Sequence, residues 1–481
     1  MTMKNGVSAG RMLGWVVAAV ALLRLAMLGL YPLQDTTEAR YAEIARKMAE
    51  LNDWVTPWFD YGVPFWGMPP MSFWLTSASF KLFGVNEFAA RLPHLLAALL
   101  VSWLVWDWMR QRSPREAMLA VALLWGAVLF YVSAGAVMTD MVFAIGTTLA
   151  MRGFWLGLHG SEPQRRRERW LLFIGLSIGL LAKGPIALVL SGLPIALWSL
   201  ATRNAGLAWQ RLPWLSGSLI VAVLAVPWYV IAELKTPGFL DYFLIGEHWQ
   251  RFTVAGWAGD RYGKAHAFPH GSIWLFALVA CLPWTLLWPV LAFGRAKAVA
   301  SNPVVRPERA WRAYLLLWGA APCLFFTAAG NILWTYVLPG LPALAMFAAT
   351  WLASDTRTRR VDAIVASGVI VMALGLSIAI VSRHQSGNWN TAKSLVEAYH
   401  ARTAGKEPLI FLEARPYSAS FYSQGEAKQV NNMMELKERL EHGPAFVALK
   451  GKQQQDLPFE VQSRLHSEGH YGDYELFSVI H

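Results

Sequence analysis

Four groups of polar side chains stand out in a chain that otherwise carries few. The first, Asp35-Thr36-Thr37-Glu38-Ala39-Arg40-Tyr41, brings two carboxylates and a guanidinium together where an apolar run ends. A carboxylate at Asp35 or Glu38 suits a general base for an acceptor hydroxyl. The competing reading is a helix N-terminus, with Asp35 or Thr37 as cap and Glu38 favourable to the helix dipole. The second is Asp140, within Val137-Met138-Thr139-Asp140-Met141, which has no charged neighbour in sequence. Its partner must come from elsewhere in the fold. It is expected to face a water-filled cavity alongside the first group, the alternative again being a cap. The third is Glu247-His248-Trp249-Gln250-Arg251-Phe252, followed by Asp260-Arg261-Tyr262, Lys264 and His266. Guanidinium groups match phosphate oxygens bidentately, so His248, Arg251, Arg261 and Lys264 suit a phosphate; a solvated charged loop is the bland alternative. In the fourth, Trp334-Thr335-Tyr336-Val337-Leu338-Pro339, the Tyr336 phenol is placed either to hydrogen-bond a phosphate or to join an interfacial aromatic belt.

No phosphate-cradling glycine loop, zinc-spaced Cys/His set or Ser/His/Asp triad occurs. Soluble nucleotide-sugar or ATP chemistry is thereby disfavoured. A lipid-borne substrate remains.

The elements that must position these groups are membrane spans. Of 481 residues, 55% are hydrophobic and 15% charged, against about 25% charged in soluble domains. Long apolar runs alternate with short polar stretches, and each span needs roughly 20 apolar residues. Spans are expected near 11–31, 91–109, 116–133, 138–158, 170–182, 185–201, 213–233, 272–293, 312–329, 333–353 and 361–382. The first reads as retained, being too long for a signal-peptide core and lacking a cleavage signal. Lys183-Gly184-Pro185 interrupts one apolar stretch and predicts a tight turn at the membrane surface, where Lys183 finds a polar environment.

Short loops place the N-terminus inside by their Arg and Lys bias: Arg110, Arg112, Arg115, Arg165 to Arg167, Arg169, Arg203, Arg211, Arg295, Lys297, Arg306, Arg309, Arg312, Arg357, Arg359 and Arg360 fall on one side. The loops around 134–137 and at Gly330-Asn331 carry no basic residue. The net charge of +11 is thus a matter of topology and not of nucleic-acid binding. The expected division is a multi-spanning domain over 1–382, with outer loops 32–90 and 234–271, then a small external α/β domain over 383–481. The first outer loop predicts amphipathic helices at 38–51 and 70–83. The last segment reads as strands at 408–412, 427–430, 445–449 and 474–480 with helices at 417–422 and 433–442. Cys281 and Cys323 lie in apolar segments and predict no disulfide framework.

The runs TEARYAEIARKM, DWVTPWFDYGVPFWGMPPMSFWLT, FGVNEFAARLP, AKGP, EHWQRF, CLPW and WTYVLPGLPAL occur in this order. Together they resemble the bacterial aminoarabinose transferases, within the superfamily of the dolichyl-phosphate-mannose–protein mannosyltransferases. The resemblance covers residues 12 to about 355; the final domain matches only in position and type. It implies a mainly α, polytopic fold of the GT-C type and an inverting glycosyltransferase. Such an enzyme moves a sugar from polyprenyl phosphate to a glycolipid, surface-glycan or protein acceptor on the periplasmic face of the bacterial inner membrane. Carried over, Glu38, Arg40 and Tyr41 match the acidic motif of the first loop, Arg40 and Tyr41 as expected contacts to the lipid phosphate or substrate, and Asp140 matches an acidic residue at the same span end. His248 and Arg251 match the second-loop motif, Arg251 as a phosphate contact, and Tyr336 matches a tyrosine facing the lipid phosphate.

Two departures matter. The family's Asp-Glu pair is Thr37-Glu38 here, and Asp35, one helical turn before Glu38, is expected to supply the missing carboxylate on the same face. The family's Glu-Lys before Pro-Pro is Gly67-Met68, which removes a phosphate-binding cation, for which Lys183, Lys264 or an arginine would compensate, and a ligand for a divalent metal. Metal dependence stays open. The rival reading of a polytopic chain, a transporter or lipid flippase, predicts repeated halves and broken mid-membrane helices, and the sequence shows no repeat.

Overall fold

The computed structural model describes residues 2–286, 306–354, 358–385, 387, 389–403 and 407–479. The expected span 272–293 runs beyond them after residue 286, and Arg295, Lys297 and Arg357 lie outside them.

Helices dominate up to residue 385. They are α1 (Thr2–Met27), α2 (Thr37–Leu51), α3 (Met71–Phe83), α4 (Glu87–Met109), α5 (Pro114–Gly126), α6 (Val128–Ser133), α7 (Asp140–His159), α8 (Glu162–Lys183) and α9 (Ile186–Ala201). There follow α10 (Ala205–Arg211), α11 (Trp214–Lys235), α12 (Phe239–Asp241), a π-helix over Tyr242–Gln250 and α13 (Arg251–Thr253). Then come α14 (Ser272–Ala280), α15 (Arg306–Phe326), a 3-10 turn over Trp334–Gly340, α16 (Leu341–Ala353) and α17 (Thr358–Gln385). Local sequence explains many boundaries. Asn86 and Ser113 accept from Ala89 N and Glu116 N to cap α4 and α5, and Pro114 occupies the first helical position of α5, where it sacrifices no bond. The expected span 116–133 is broken at Ala127, whose backbone is extended, so α5 and α6 form it in two pieces.

Five of the described helical stretches are long and apolar enough to cross a membrane: α4, α7, α11, the continuous Trp334–Ala353 and α17. Only about a fifth of the α11 window is buried in the protein, which leaves its side chains for lipid. The main core packs α4, α5, α9 and α15 together through fully buried Trp108, Trp125, Trp198, Trp311 and Trp318. A second, aromatic core lies above it, where α2, α3 and a two-stranded hairpin (β1 Trp58–Asp60, β2 Val63–Pro64) meet the loop carrying Tyr262 and the C-terminal Phe421.

The C-terminal part adds α18 (Lys393–Arg402), β3 (Leu409–Leu412), α19 (Tyr417–Tyr422), β4 (Lys428–Val430), α20 (Met433–Glu441) and β5 (Ala445–Lys450). It ends with α21 (Gly451–Gln455), α22 (Phe459–Gln462), β6 (Leu465–Tyr471) and β7 (Tyr474–Val479). The sheet order is β4-β3-β5-β7-β6, with β3 parallel to both neighbours and β5, β7 and β6 antiparallel. The four expected strands are all present. Strand β6 was not expected: it is a polar edge strand, LHSEGHY, with a register shift at Ser467/Gly469, and so lacks the apolar alternation that marks a covered strand.

Candidate functional site

Helices α7 and α8 form an antiparallel pair joined at the short Gly160-Ser161 link, and their far ends bring Asp140 and Lys183 together. The Lys183 ammonium donates to Asp140 Oδ1 at 2.6 Å, with both side chains more than 90% buried. Asp140 is therefore neither a cap nor a cavity-facing acid on its own. Its N-cap neighbour Thr139 makes no side-chain cap bond either. Lys183 is likewise not on a polar surface; its polar surroundings are supplied by Asp140. The predicted turn is real: Gly184 caps α8 with φ +83°, and a Cβ there would meet the Phe243 and His248 rings. The ammonium also lies 5.0 Å from the centre of the Tyr336 ring and 5.8 Å from that of Phe143.

His248 does not present its ring to open space. Nδ1 lies 2.7 Å from the Phe243 carbonyl and Nε2 3.3 Å from that of Lys183. Burial pushes its pKa down, so the neutral ring donates to only one of these carbonyls at a time. Its role in this structure is to pin the π-helix against the Lys183-Gly184 turn.

The first cluster departs from expectation. Helix α2 begins at Thr37, so Asp35 lies outside it and does not share a face with Glu38. Glu38 turns inward, accepting from Arg91 Nε and Nη2 at 2.8 Å each, from Gln34 N and from Val137 N. Burial alone would raise its pKa; the Arg91 guanidinium outweighs this and holds it low. With its lone pairs so engaged, Glu38 is poorly placed to take a proton from an acceptor. Asp35 turns the other way, accepting from Ser418 N at 3.0 Å and from the Ser418 hydroxyl. Burial raises it to about 6, against those hydrogen bonds.

Tyr41 lies nearer the ion pair, and Arg40 lies over its ring. The Tyr41 phenol is buried against Phe65 and Phe73 and senses the charges of Arg40, Lys183, Asp140 and Arg251; burial pushes its pKa up. Arg251 pairs with Glu247 at 2.8 Å and Asp260 at 3.3 Å and is only partly exposed. Burial works against its charge, and the two acids with Tyr336 more than restore it. Asn331 fixes this segment by donating to the Arg251 and Val254 carbonyls at 2.6 and 2.7 Å. Tyr336 in turn feels Arg251, Asp140, Glu247 and Asp260. Tyr41, Asp140, Lys183, Glu247, Arg251, Asp260 and Tyr336 thus form one cluster of interacting polar groups, the candidate basin, with Arg40 and His266 at its edge. Met68 packs among the aromatic residues of the second core, and Lys183, one of the cations expected to compensate there, is paired with Asp140.

Among the described residues no three His, Cys, Asp or Glu side chains converge as metal ligands. Sequence reasoning passed over Arg91, although an arginine inside the apolar run Ala89-Ala90-Arg91-Leu92 is costly enough in a bilayer to demand a partner. It passed over Tyr417 for a better reason. Nothing local marks it.

The chain matches the family described as dolichyl-phosphate-mannose-protein mannosyltransferase over residues 16–243. It is 28% identical over 396 residues to an undecaprenyl phosphate-alpha-4-amino-4-deoxy-L-arabinose arabinosyl transferase of Enterobacter sp. (strain 638), covering 79% of this chain and 67% of that one. A like-named protein of Erwinia tasmaniensis is 32% identical over 336 residues, 68% of this chain and 57% of its own length. The chain thus spans roughly three fifths of the length of several of these relatives, 63% for that of Edwardsiella ictaluri. The crystal structure of ArnT from Cupriavidus metallidurans bound to undecaprenyl phosphate superposes with a TM-score of 0.81 at 22% identity, covering 97% of this chain and 98% of that one; its apo form gives 0.79. The fold is of this GT-C kind, mainly helical with a small C-terminal sheet domain, in a multi-pass membrane protein.

Proposed function

We propose, from the premise that the chain is a member of the GT-C superfamily of aminoarabinose transferases and dolichyl-phosphate-mannose–protein mannosyltransferases, that it moves a sugar from a polyprenyl-phosphate donor to an acceptor hydroxyl or phosphate. The observation that carries this reading is the buried Asp140–Lys183 pair beside Tyr336. A buried ammonium with an aromatic hydroxyl side chain next to it is a binding place for one phosphate, and Arg251 adds a second cation. An arriving phosphate competes with Asp140 for Lys183 and frees a carboxylate at the moment of binding. Asp140 then takes the acceptor proton, the acceptor oxygen bonds to the anomeric carbon from the face opposite the phosphate, and the carbon–oxygen bond to the phosphate breaks. The electron pair leaves with polyprenyl phosphate, whose charge Lys183, Arg251 and Tyr336 stabilise. Glu38 and Asp35 hold the first loop in place around this site.

The relatives' names support an undecaprenyl-phosphate-linked amino sugar as donor, and lipid A or another surface glycan is the first acceptor class of this reading. The match to protein mannosyltransferases keeps a protein hydroxyl as the second acceptor class. The Arg bias of the loops at 110–115, 165–169 and 203–211 supports a cytoplasmic N-terminus in the bacterial inner membrane, with the basin and the C-terminal domain periplasmic.

The test is transfer by the purified full chain from undecaprenyl-phosphate-linked 4-amino-4-deoxy-L-arabinose to lipid A in detergent. We expect activity in the wild type and losses of about a hundredfold or more in Asp140→Asn and Lys183→Met, typical of removing a transition-state charge contact. Wild-type rates in both variants would overturn the assignment.

A further inference from the structure

Three distant segments of the chain converge on one carbonyl oxygen. Arg40 Nη1, from α2, donates to the Tyr262 carbonyl, and the Tyr417 hydroxyl, from α19 of the C-terminal domain, donates to the same oxygen at 3.2 Å. The Arg40 guanidinium also lies over two rings, 5.2 Å from the centre of Tyr41 and 5.8 Å from that of Tyr417. Phe59 of β1 meets the Tyr417 ring edge-on at 5.6 Å. Arg40 Nε, by contrast, is buried with no hydrogen-bond acceptor among the described residues. An arginine clamped on three sides with a free, buried N–H is set to meet a ligand that the protein does not itself supply, because an unsatisfied donor at a charged group costs on the order of 1–3 kcal/mol.

The next residue fastens the same corner. Ser418 donates through both its backbone N–H and its hydroxyl to Asp35, two residues before α2 begins, and its Oγ accepts from Ala392 N at 2.8 Å. The C-terminal domain therefore grips the start of α2 at Asp35 and covers the same helix one turn later at Arg40.

We infer that Tyr417 is a positioning residue of the transfer site, holding Arg40 at the edge of the basin across the domain boundary, with Ser418 holding the turn that carries α2. The inference rests on the transferase reading above and adds to it that the site is complete only when the C-terminal domain is docked.

The experiment compares Tyr417→Ala, Tyr417→Phe and Lys393→Ala in the full chain. Lys393 pairs with Glu87 at 2.6 Å on the same domain interface, away from Arg40, and reports general loosening. With the donor and acceptor named above, Tyr417→Ala is expected to lower kcat about tenfold. Tyr417→Phe keeps the ring over Arg40 and is expected to recover most of the rate; Lys393→Ala is expected to remain near wild type. Equal losses in Tyr417→Ala and Lys393→Ala, or a wild-type kcat in Tyr417→Ala, overturn the inference. If the wild type itself transfers nothing, the transferase reading fails, and hydrogen exchange decides the inference separately. Faster exchange at residues 37–41 and 257–263 in Tyr417→Ala but not in Lys393→Ala supports the clamp, and unchanged exchange there refutes it.

Discussion

Arg91 is fully buried and donates five hydrogen bonds, two to Glu38 and the others to the carbonyls of Leu28, Tyr31 and Pro32. The guanidinium satisfies the chain as it leaves α1, and Glu38 neutralises it. In Glu38→Gln the neighbours stay filled while Arg91 becomes a buried charge without its counter-ion, a change that costs roughly 3–5 kcal/mol in comparable pairs. We expect a clearly lowered midpoint of thermal unfolding in detergent, little changed between pH 6 and 8 because Glu38 is ionised throughout that range. An unchanged midpoint together with lost transfer would return Glu38 to a chemical role. The pattern of polar residues showed at once that residues 35–41 matter. It did not show which carboxylate does what, because the partners, Arg91 and Ser418, lie 53 and 383 positions away. Asp140 is the instructive contrast, since a lone acid in an apolar run requires a distant partner, even though its identity as Lys183 needed the fold.

At the scale of elements, the separation of Asp140 from Lys183 is set by how closely α7 and α8 approach. Gly175 and Gly146 face each other along that contact: a Cβ on Gly175 would come within 2.5 Å of Ala150 N and of the Gly146 carbonyl, and one on Gly146 within 2.7 Å of Gly179 N. Small residues let membrane helices pack backbone to backbone. Gly175→Ala must push the pair apart near its middle, at a cost of roughly 1–3 kcal/mol for overpacking. The 2.6 Å ion pair at the outer end is expected to lengthen with it. Transfer should fall about tenfold while Gly192→Ala, where a Cβ meets nothing, leaves it unchanged; equal rates in the two variants would show that the helix contact does not set the site. Five of the expected spans coincide with described helical stretches long and apolar enough to cross a membrane, and these were legible because a charge deficit is a cumulative signal over about twenty residues. The β1–β2 hairpin and β6 were not, being short or polar and held by contacts with the aromatic core and with β7 rather than by their own pattern.

For the whole molecule the decisive contact is the one between the C-terminal domain and the first outer loop, where Asp35 meets Ser418, Asp60 pairs with Arg415 at 2.6 Å, and Tyr422 donates to Glu87 at 3.0 Å while accepting from Leu33 N. Asp35 is the one of these acids whose pKa is raised, from 3.8 to about 6, chiefly by burial and against the Ser418 hydrogen bonds; that of Asp60 is lowered, burial raising it and Lys47 and Arg415 outweighing the burial. The sign follows from proton uptake: with a docked pKa above the undocked one, docking binds a proton, so the docked state is favoured at low pH and loses that advantage as pH rises from about 4 through 6, staying level above. A shift of about two units corresponds to roughly 3 kcal/mol at most. The Tyr417 and Tyr474 phenols, which sense the Asp35 charge, stay neutral across this range, since burial raises both of them. Asp35→Asn keeps an acceptor for Ser418 and removes the buried charge. Its interface should be protected from proteolysis and hydrogen exchange at pH 7.5 as well as the wild type is at pH 4, and the difference between the two proteins should vanish as pH falls below 4. A difference that is constant from pH 4 to 8 would mean that Asp35 acts through its shape alone, and that its burial does not tune how firmly the second domain closes over the basin.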